Sequence, residues 1–336
     1  MNPRRLIGFL FSLLISAIFL ALALAPVDFS KLARAFALAD YRLVLLASGF
    51  TISAYVLRAA RWRQLLAPSQ KIPLHRLFPV LIVGFALNNL LPGRPGEFAR
   101  AYSLGKREQI SKMLTLGTVV VERVADGVAL IAFLLFAFVA FSPLHLDLPA
   151  VAEIIGVVAT IVFGVALGGL LFLLRRETLA LALIRQFERW MPKNLVARFE
   201  RMLQSFVLGL HALKSSRAAF DIVMLSLGVW TMEWASYFLM INAFGVLPDI
   251  GVRPVAAAMT MALINFGIMI PAAPGGVGPY EAAGIFALGA FAVNETAAAS
   301  VALATHAMQY LLITGLGIIF LWREGISLVQ AQESDE

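Results

Sequence analysis

The sequence predicts an all-α, polytopic integral membrane protein built as an inverted repeat, with about six full spans and two oppositely oriented broken-helix hairpins. Three observations carry this. The 336 residues are 60% hydrophobic and only 14% charged, against roughly 25% charged residues in soluble domains, and several apolar runs reach the roughly 20 residues needed to cross a bilayer core. The basic residues fall in the gaps between those runs, with a bias to one side. Two segments apolar enough to enter lipid are interrupted by matching motifs, "PGRPG" at 92–96 and "PAAPG" at 271–275.

"MNPRR" precedes the first apolar run, 6–25, which is longer than a usual signal-peptide core and is followed by Pro26 where cleavage would fall, so it reads as a retained helix. The second span is 43–60, ending in "LRAARWRQLL"; a short apolar piece, 77–91, terminates in "NNLLPGRPGEFARAY". Spans follow at 113–141, 153–174 and 218–244, then the two pieces 254–271 and 279–293, and a last span at 298–321. In the connection 175–217, apolar residues recur at helical spacing between arginines (Leu183, Ile184, Phe187, Trp190 and Met191, then Val196, Phe199, Met202, Leu203 and Phe206). That pattern gives two basic amphipathic helices on the inner leaflet, or a solvated connector.

Charge sets the topology. Arg58, Arg61, Arg63, Lys71 and Arg76 cluster without an acid, Arg94, Arg100, Lys106, Arg107 and Lys112 stand against two acids, and 175–217 is strongly basic. These regions are placed in the cytoplasm, with 142–153 and 245–253 outside and both termini cytoplasmic. Residues 26–42 fit this scheme less well. Both flanks of 77–91 are then cytoplasmic, so that segment enters and returns near "PGRPGE". By the same reasoning 254–293 enters from the outside and returns, or crosses twice. The matching breaks define two pseudo-repeats, about 6–141 and 153–321, which is the sequence pointer to an inverted-repeat transporter.

Polar groups at membrane depth are the candidate site. Irregular backbone survives there only where protein or a water-filled cavity supplies hydrogen bonds, so the break at Pro271, Pro274, Gly275, Gly276 and Gly278 predicts a polar cavity. Half-helices starting at such breaks aim positive dipole ends at anionic groups. Glu281, in the first turn after the break, either caps those amides or meets a headgroup or a proton. Asn88 and Asn265 precede the two breaks. Arg94 lies in the first break and suits bidentate phosphate binding, with Gly96 at its end. Glu97 and Arg100 lie one turn apart and either pair on an exposed face or line the cavity. Glu122, Arg123 and Asp126 sit inside an apolar span, where charges face the interior and are paired or functional. Glu233 has no charged neighbour in sequence, which leaves Arg123 or Arg94 as partner. His306, Gln309 and Tyr310 form a polar strip suited to interhelical hydrogen bonds.

Other chemistries find no support. The net charge of +7 is distributed as topology requires and no nucleic-acid motif is present, so no nucleic-acid partner is expected. With no cysteine, thiolate chemistry and disulfides are excluded. There is no P-loop, no metal-ligand spacing and no nucleophile with its base. No cofactor or metal is expected, and a catalytic dyad assembled from separate helices stays open.

"RAARWRQLL" (58–66), "NNLLPGRPGEFARAYSL" (88–104), "VERVAD" (121–126) and "PAAPGGVGPYEAA" (271–283) together resemble the signature segments of the lysylphosphatidylglycerol synthase transmembrane, or flippase-like, family. In bifunctional members this membrane part is thought to move aminoacylated phosphatidylglycerol between leaflets after a cytosolic synthetase domain has made it. Here the chain stops at "VQAQESDE", shortly after the last span, so the resemblance implies a stand-alone member without lysyl transfer. It implies a lipid flippase or transport factor of the bacterial inner membrane, acting on a phosphate-bearing lipid: a phospholipid, an aminoacyl-phosphatidylglycerol-like lipid, a hopanoid or a polyprenyl-linked lipid. Membrane lipids are the expected partners, with a separate lipid-modifying enzyme as a further one. The alternatives are a non-transporting partner that presents lipid to such an enzyme, and a membrane-embedded enzyme acting on a lipid phosphate.

Overall fold

The computed structural model describes residues 3–141, 150–186, 193–270 and 273–324. The described chain is an all-α polytopic membrane protein of thirteen α-helices. Five helices are long and apolar enough to cross a bilayer, or six when the first helix and its bent continuation count as one span. They are α3 (Tyr41–Leu66), α6 (Lys112–Phe141), α7 (Ala150–Arg175), α10 (Ser216–Phe244) and α13 (Glu295–Glu324), joined by α1 (Pro3–Leu24), which bends by 83° into α2 (Phe29–Leu38). On α7, Val151, Ile154, Val157, Val158, Ile161, Val162 and Val165 are all exposed. In water such a surface would aggregate, whereas in lipid it is solvated.

α2 was not expected within 26–42. It forms because Asp28 caps it, accepting from the amides of Ser30 and Lys31. The Ser30 hydroxyl and those amides hold the Asp28 carboxyl down at about 2. The cap therefore holds throughout the neutral range and is lost only as pH falls through that value.

α3 and α10 run antiparallel: Asp40 binds the Ala243 carbonyl at one end, Thr51 meets Ser236 midway, and Arg61 reaches Ser226 toward the other end. Two helical hairpins enter from opposite ends of this pair. The first is α4 (Leu74–Leu90) and α5 (Gly96–Glu108); Arg76 and Glu108, at its open end, lie 3.4 Å apart. It is tight because Gly96 stacks on the Gly84 carbonyl, where any Cβ would collide. The second is α11 (Arg253–Gly267) and α12 (Pro279–Gly289), with a short 3-10 turn at Pro274–Gly276. The first hairpin packs on α13 through α4 and on α6 through α5, and the second on α6 through α11 and on α13 through α12.

The connector holds α8 (Glu177–Gln186) and α9 (Lys193–Gly209). Phe187, Trp190 and Met191 lie outside the described residues. α9 gives only part of its apolar surface to its surroundings. Val196 and Val207 are buried, and Gly117 and Gly209 let α9 lie backbone to backbone on α6 at Phe206 and Leu114.

The absence of native cysteine makes the hairpin arrangement directly testable by single-cysteine labelling. Lys71→Cys and Lys106→Cys flank the first hairpin and are expected to react from one side of the membrane only, with Ile250→Cys and Glu295→Cys reacting from the other. Labelling of residues 71 and 106 from opposite sides would overturn the hairpin. Gly96→Ala should lower stability by about 1–3 kcal/mol through overpacking, read as a lowered thermal midpoint in detergent.

Candidate functional site

The site begins with two arginines on α3. Arg58 and Arg61, one helical turn apart, are 6% and 0% exposed, a burial that charged side chains tolerate only when paired. Arg61 donates to Asp126 at 2.7 Å and to the Ser226 hydroxyl at 2.9 Å. Arg58 contacts Glu233 at 3.2 Å and Asp126 at 3.5 Å, and its guanidinium lies 5.0 Å from the Trp230 ring and 5.5 Å from that of Tyr55. Trp230 completes the set by donating to Asp126. Asp126 thus draws on α3, on α10 and on Arg123 of its own helix, 3.6 Å away.

A second branch reaches the first hairpin. Arg100 is buried and pairs with Glu122 at 2.6 Å, its guanidinium stacked 4.0 Å from the Trp62 ring. Glu97 faces Arg123 at 3.7 Å. The Glu97–Arg100 pair open from their spacing does not form, because α6 offers each of them a partner of opposite charge. Nor does Glu233 pair with Arg123 or Arg94; Arg58 lies directly across the α3–α10 contact. Four arginines (58, 61, 100 and 123) therefore face four carboxylates (97, 122, 126 and 233). The Arg123 and Glu97 side chains, 38% and 32% exposed, are where the network opens outward.

The two breaks meet. Arg94 takes a left-handed backbone (φ 53°) at the tip of the first hairpin and donates to the Ile268 carbonyl at the end of α11, at 2.6 Å. The Asn89 side chain donates to Thr314 of α13, and its carbonyl accepts from Tyr310. Protein side chains, more than a cavity, satisfy the irregular backbone. Ser16 of α1 accepts from the Ala273 amide and donates to the Val277 carbonyl, each at 2.7 Å. The Gly96 amide donates to Asn88 and the Gly278 amide to Glu281. Those two amides, expected to bind an anion, are thus occupied from within the chain, and the capping role read for Glu281 is present. Gly278 is required here, since φ is 96° and a Cβ would lie 2.6 Å from the Ser16 carbonyl.

A polar string joins the charge network to the second break. Gln309 donates to Glu233 and accepts from Tyr280, whose hydroxyl also meets that of Tyr237. Tyr280 stacks on His306 at 4.0 Å, and His306 Nδ1 lies 2.6 Å from Glu281. The interhelical role read for His306, Gln309 and Tyr310 is borne out. Asn265 stands apart, bonded to the Met261 carbonyl of its own helix. Pro274, Gly275 and Gly276 form the turn of the second break, while Pro271 lies outside the described residues.

Arg58, Arg61, Ser16, Trp230, Tyr237 and Tyr280 are site residues that the sequence did not nominate. Arg58 and Arg61, like Arg100, counted there as cytoplasmic topology charges; the structure buries all three. The exposed Arg63, Lys71, Arg76, Lys106 and Lys112 still mark that end of the bundle. One signal was present: "RAAR" puts two arginines on one face of an otherwise apolar helix.

The family profile described as the lysylphosphatidylglycerol synthase TM region matches residues 9–317. The chain belongs to this family. Among curated proteins it is 26% identical over 361 residues to "Glycosyltransferase AglD" of Haloferax volcanii, covering 99% of this chain and 57% of that relative. It is 26% identical to a UPF0104 membrane protein of Methanocaldococcus jannaschii, covering 91% of this chain and 92% of the relative. A UPF0104 membrane protein of Methanothermobacter thermautotrophicus is 28% identical over 83% of this chain and 85% of its own length. These relatives are archaeal. The chain spans little more than half of AglD, so that protein's activity does not transfer with the match. No solved structure matches the chain.

Removing one partner from a buried charge pair costs about 3–5 kcal/mol. Arg58→Ala should therefore destabilise the protein by an amount of that order, and Glu233→Gln in the same chain should restore part of it. Thermal unfolding of the two single variants and the double variant measures this coupling, and strictly additive losses would contradict the pairing.

Proposed function

We propose that this protein moves a phosphate-bearing lipid between leaflets, with the headgroup passing where the two hairpin tips meet and the acyl chains remaining in the bilayer. The observation that carries the reading is the position of Arg94. It is an exposed cation at the junction of the two breaks, with Glu97 and Arg123 as its charged neighbours. The surrounding network pairs its own arginines and carboxylates, so Arg94 is the surplus positive charge, and Arg123 is the partly exposed member beside it. A guanidinium suits phosphate oxygens geometrically. The other members, Glu122, Asp126, Arg100 and Glu233, hold this junction in place.

The architecture supports alternating access by two pseudo-repeats, about 6–141 and 153–321. One helix of each hairpin packs on the span that follows the other hairpin and the second on the span that follows its own, which supports reading the two halves as related by a two-fold axis in the membrane plane. We read the hairpins as re-entrant. The exposed basic end of the bundle, with both termini, faces the cytoplasm in the cytoplasmic membrane, which is the inner membrane in a bacterium. The energy source is downhill lipid movement or ion coupling.

One observation favours a second reading. The relative named a glycosyltransferase is longer than the stretch it shares with this chain, which suits a membrane unit that presents lipid to an enzyme.

The test is leaflet-resolved labelling of fluorescent phosphatidylglycerol and of a polyprenyl phosphate in proteoliposomes. The wild type should equilibrate at least one of them. Arg94→Ala should slow that lipid roughly tenfold or more, the loss of one charge-assisted contact, and Arg123→Gln should slow it too while lowering the thermal midpoint, since Glu97 and Asp126 lose a partner. No flipping of either lipid, with tight binding retained, would favour presentation, and a chemically altered lipid would favour an enzyme.

A further inference from the structure

We propose that His306 and Glu281 form a buried proton-binding site whose proton locks the second hairpin shut. The ring of His306 touches two acceptors. Nδ1 lies 2.6 Å from Glu281 Oε1, and Nε2 lies 3.1 Å from the Gly275 carbonyl oxygen. A neutral imidazole has one N–H and one lone pair. Beside an ionised carboxylate it can satisfy only one of these contacts, and the other becomes lone pair against lone pair. Both contacts hold together only when the pair carries one further proton, as an imidazolium beside a carboxylate or as a carboxylic acid donating to Nδ1 of a ring protonated at Nε2. The geometry therefore counts a proton without fixing which of the two atoms holds it.

The bonds made by this proton span the break. Glu281 Oε2 accepts from the Gly278 amide at 2.7 Å, so the pair grips the turn at both Gly275 and Gly278 and ties it to α13. No other imidazole or carboxylate shares that position among the described residues. The titratable and charged groups facing it are Tyr280 of α12, stacked on the ring, and Tyr310 of α13, edge-on at 6.2 Å. From α10, Tyr237 and Glu233 reach it through Tyr280 and Gln309. From the first hairpin Arg94 approaches, bonded to Ile268. α1 contributes the Ser16 hydroxyl, and the Asn265 side chain of α11 turns back to Met261. Glu233 is balanced by Arg58, which leaves Glu281 as the unbalanced carboxylate beside the ring.

The sign follows. The closed hairpin holds the proton more tightly than an open one, so lower pH favours closure and higher pH favours release of the Gly275–Gly278 turn. Together with the lipid-transport reading, on which this last step rests, the proton becomes the coupling ion: hairpin opening releases it and closing rebinds it.

The direct test is NMR of the full protein in nanodiscs with 15N-labelled histidine rings and 13C-labelled glutamate carboxyls, the His306 signal being assigned by its loss in His306→Gln. At about pH 7, an imidazolium beside a carboxylate, or a protonated carboxyl beside a ring protonated at Nε2, supports the proposal. A neutral ring beside an ionised Glu281 overturns it, whether or not the protein moves lipid. Release is read separately with Val277→Cys, whose labelling rate is divided by that of an exposed Gln204→Cys control. The ratio should rise roughly tenfold between about pH 6 and about pH 9, the scale of one lost buried hydrogen bond, and should be flat in His306→Gln. A flat ratio in the wild-type pair would overturn the lock. In proteoliposomes that flip lipid, a pH dependence lost in His306→Gln supports coupling. The same dependence kept in His306→Gln, beside a positive NMR result, overturns the coupling step alone.

Discussion

The rest of the structure depends on the desolvation of Asp126. A carboxylate at that depth is tolerable only if cations meet it, and the chain brings Arg58, Arg61 and Arg123 within 2.7–3.6 Å. Meeting that demand fixes α3 against α6 and α10, since Arg58 and Arg61 come from one helix and Glu233 and Trp230 from another. With those three helices set, the two hairpins have one place to meet. In lipid, apolar side chains have little preference for one another over the acyl chains, so these polar contacts decide how the helices pack. The charges specify register, and they place a polar path where bilayer would otherwise lie.

Polarity is graded along this path. At its centre Arg61 and Arg100 are fully enclosed and paired. Toward the tips, Glu97 and Arg123 are partly exposed and Arg94, in the first break, is exposed. On the far side the string through Gln309 and Tyr280 carries no formal charge until it reaches Glu281 and His306. A rigid centre with adjustable ends suits the proposed lipid movement, in which the ends would exchange partners while the helices stay in register. The second break is held by hydrogen bonds from Ser16, Glu281 and His306, each of which a small movement can break.

Much of this was legible in the sequence. Hydropathy gave the spans nearly to their ends, and the charge pattern with the paired "P-x-x-P-G" motifs gave two opposed hairpins. Several site residues were readable because lipid penalises them: Glu122, Asp126, Glu233 and Glu281 had to be accounted for. Their partners were not readable. The pairs 58–233 and 61–126 are separated by 175 and 65 positions, and a local rule reaches three or four. Arg58 and Arg61 were misread for a physical reason, since an arginine near a cytoplasmic helix end looks the same whether it faces water or a buried acid. Ser16 was invisible as one of two hydroxyls, with Ser12, in an apolar helix, and α2 is too short for hydropathy to separate from a loop, although its Asp28 cap was there to be seen.

In the proposed transport, lipid passes where the two hairpin tips touch, and the tips must part for it to pass. Tying them together asks whether they do. In the naturally cysteine-free chain, Pro92→Cys and Met269→Cys place one thiol on each tip, and a short cleavable bismaleimide can join them. Efficient cross-linking is expected, with loss of lipid movement in the cross-linked protein and recovery once the linker is cleaved. Failure of the tips to cross-link, or transport by the linked protein at the unlinked rate, would contradict the proposed transport.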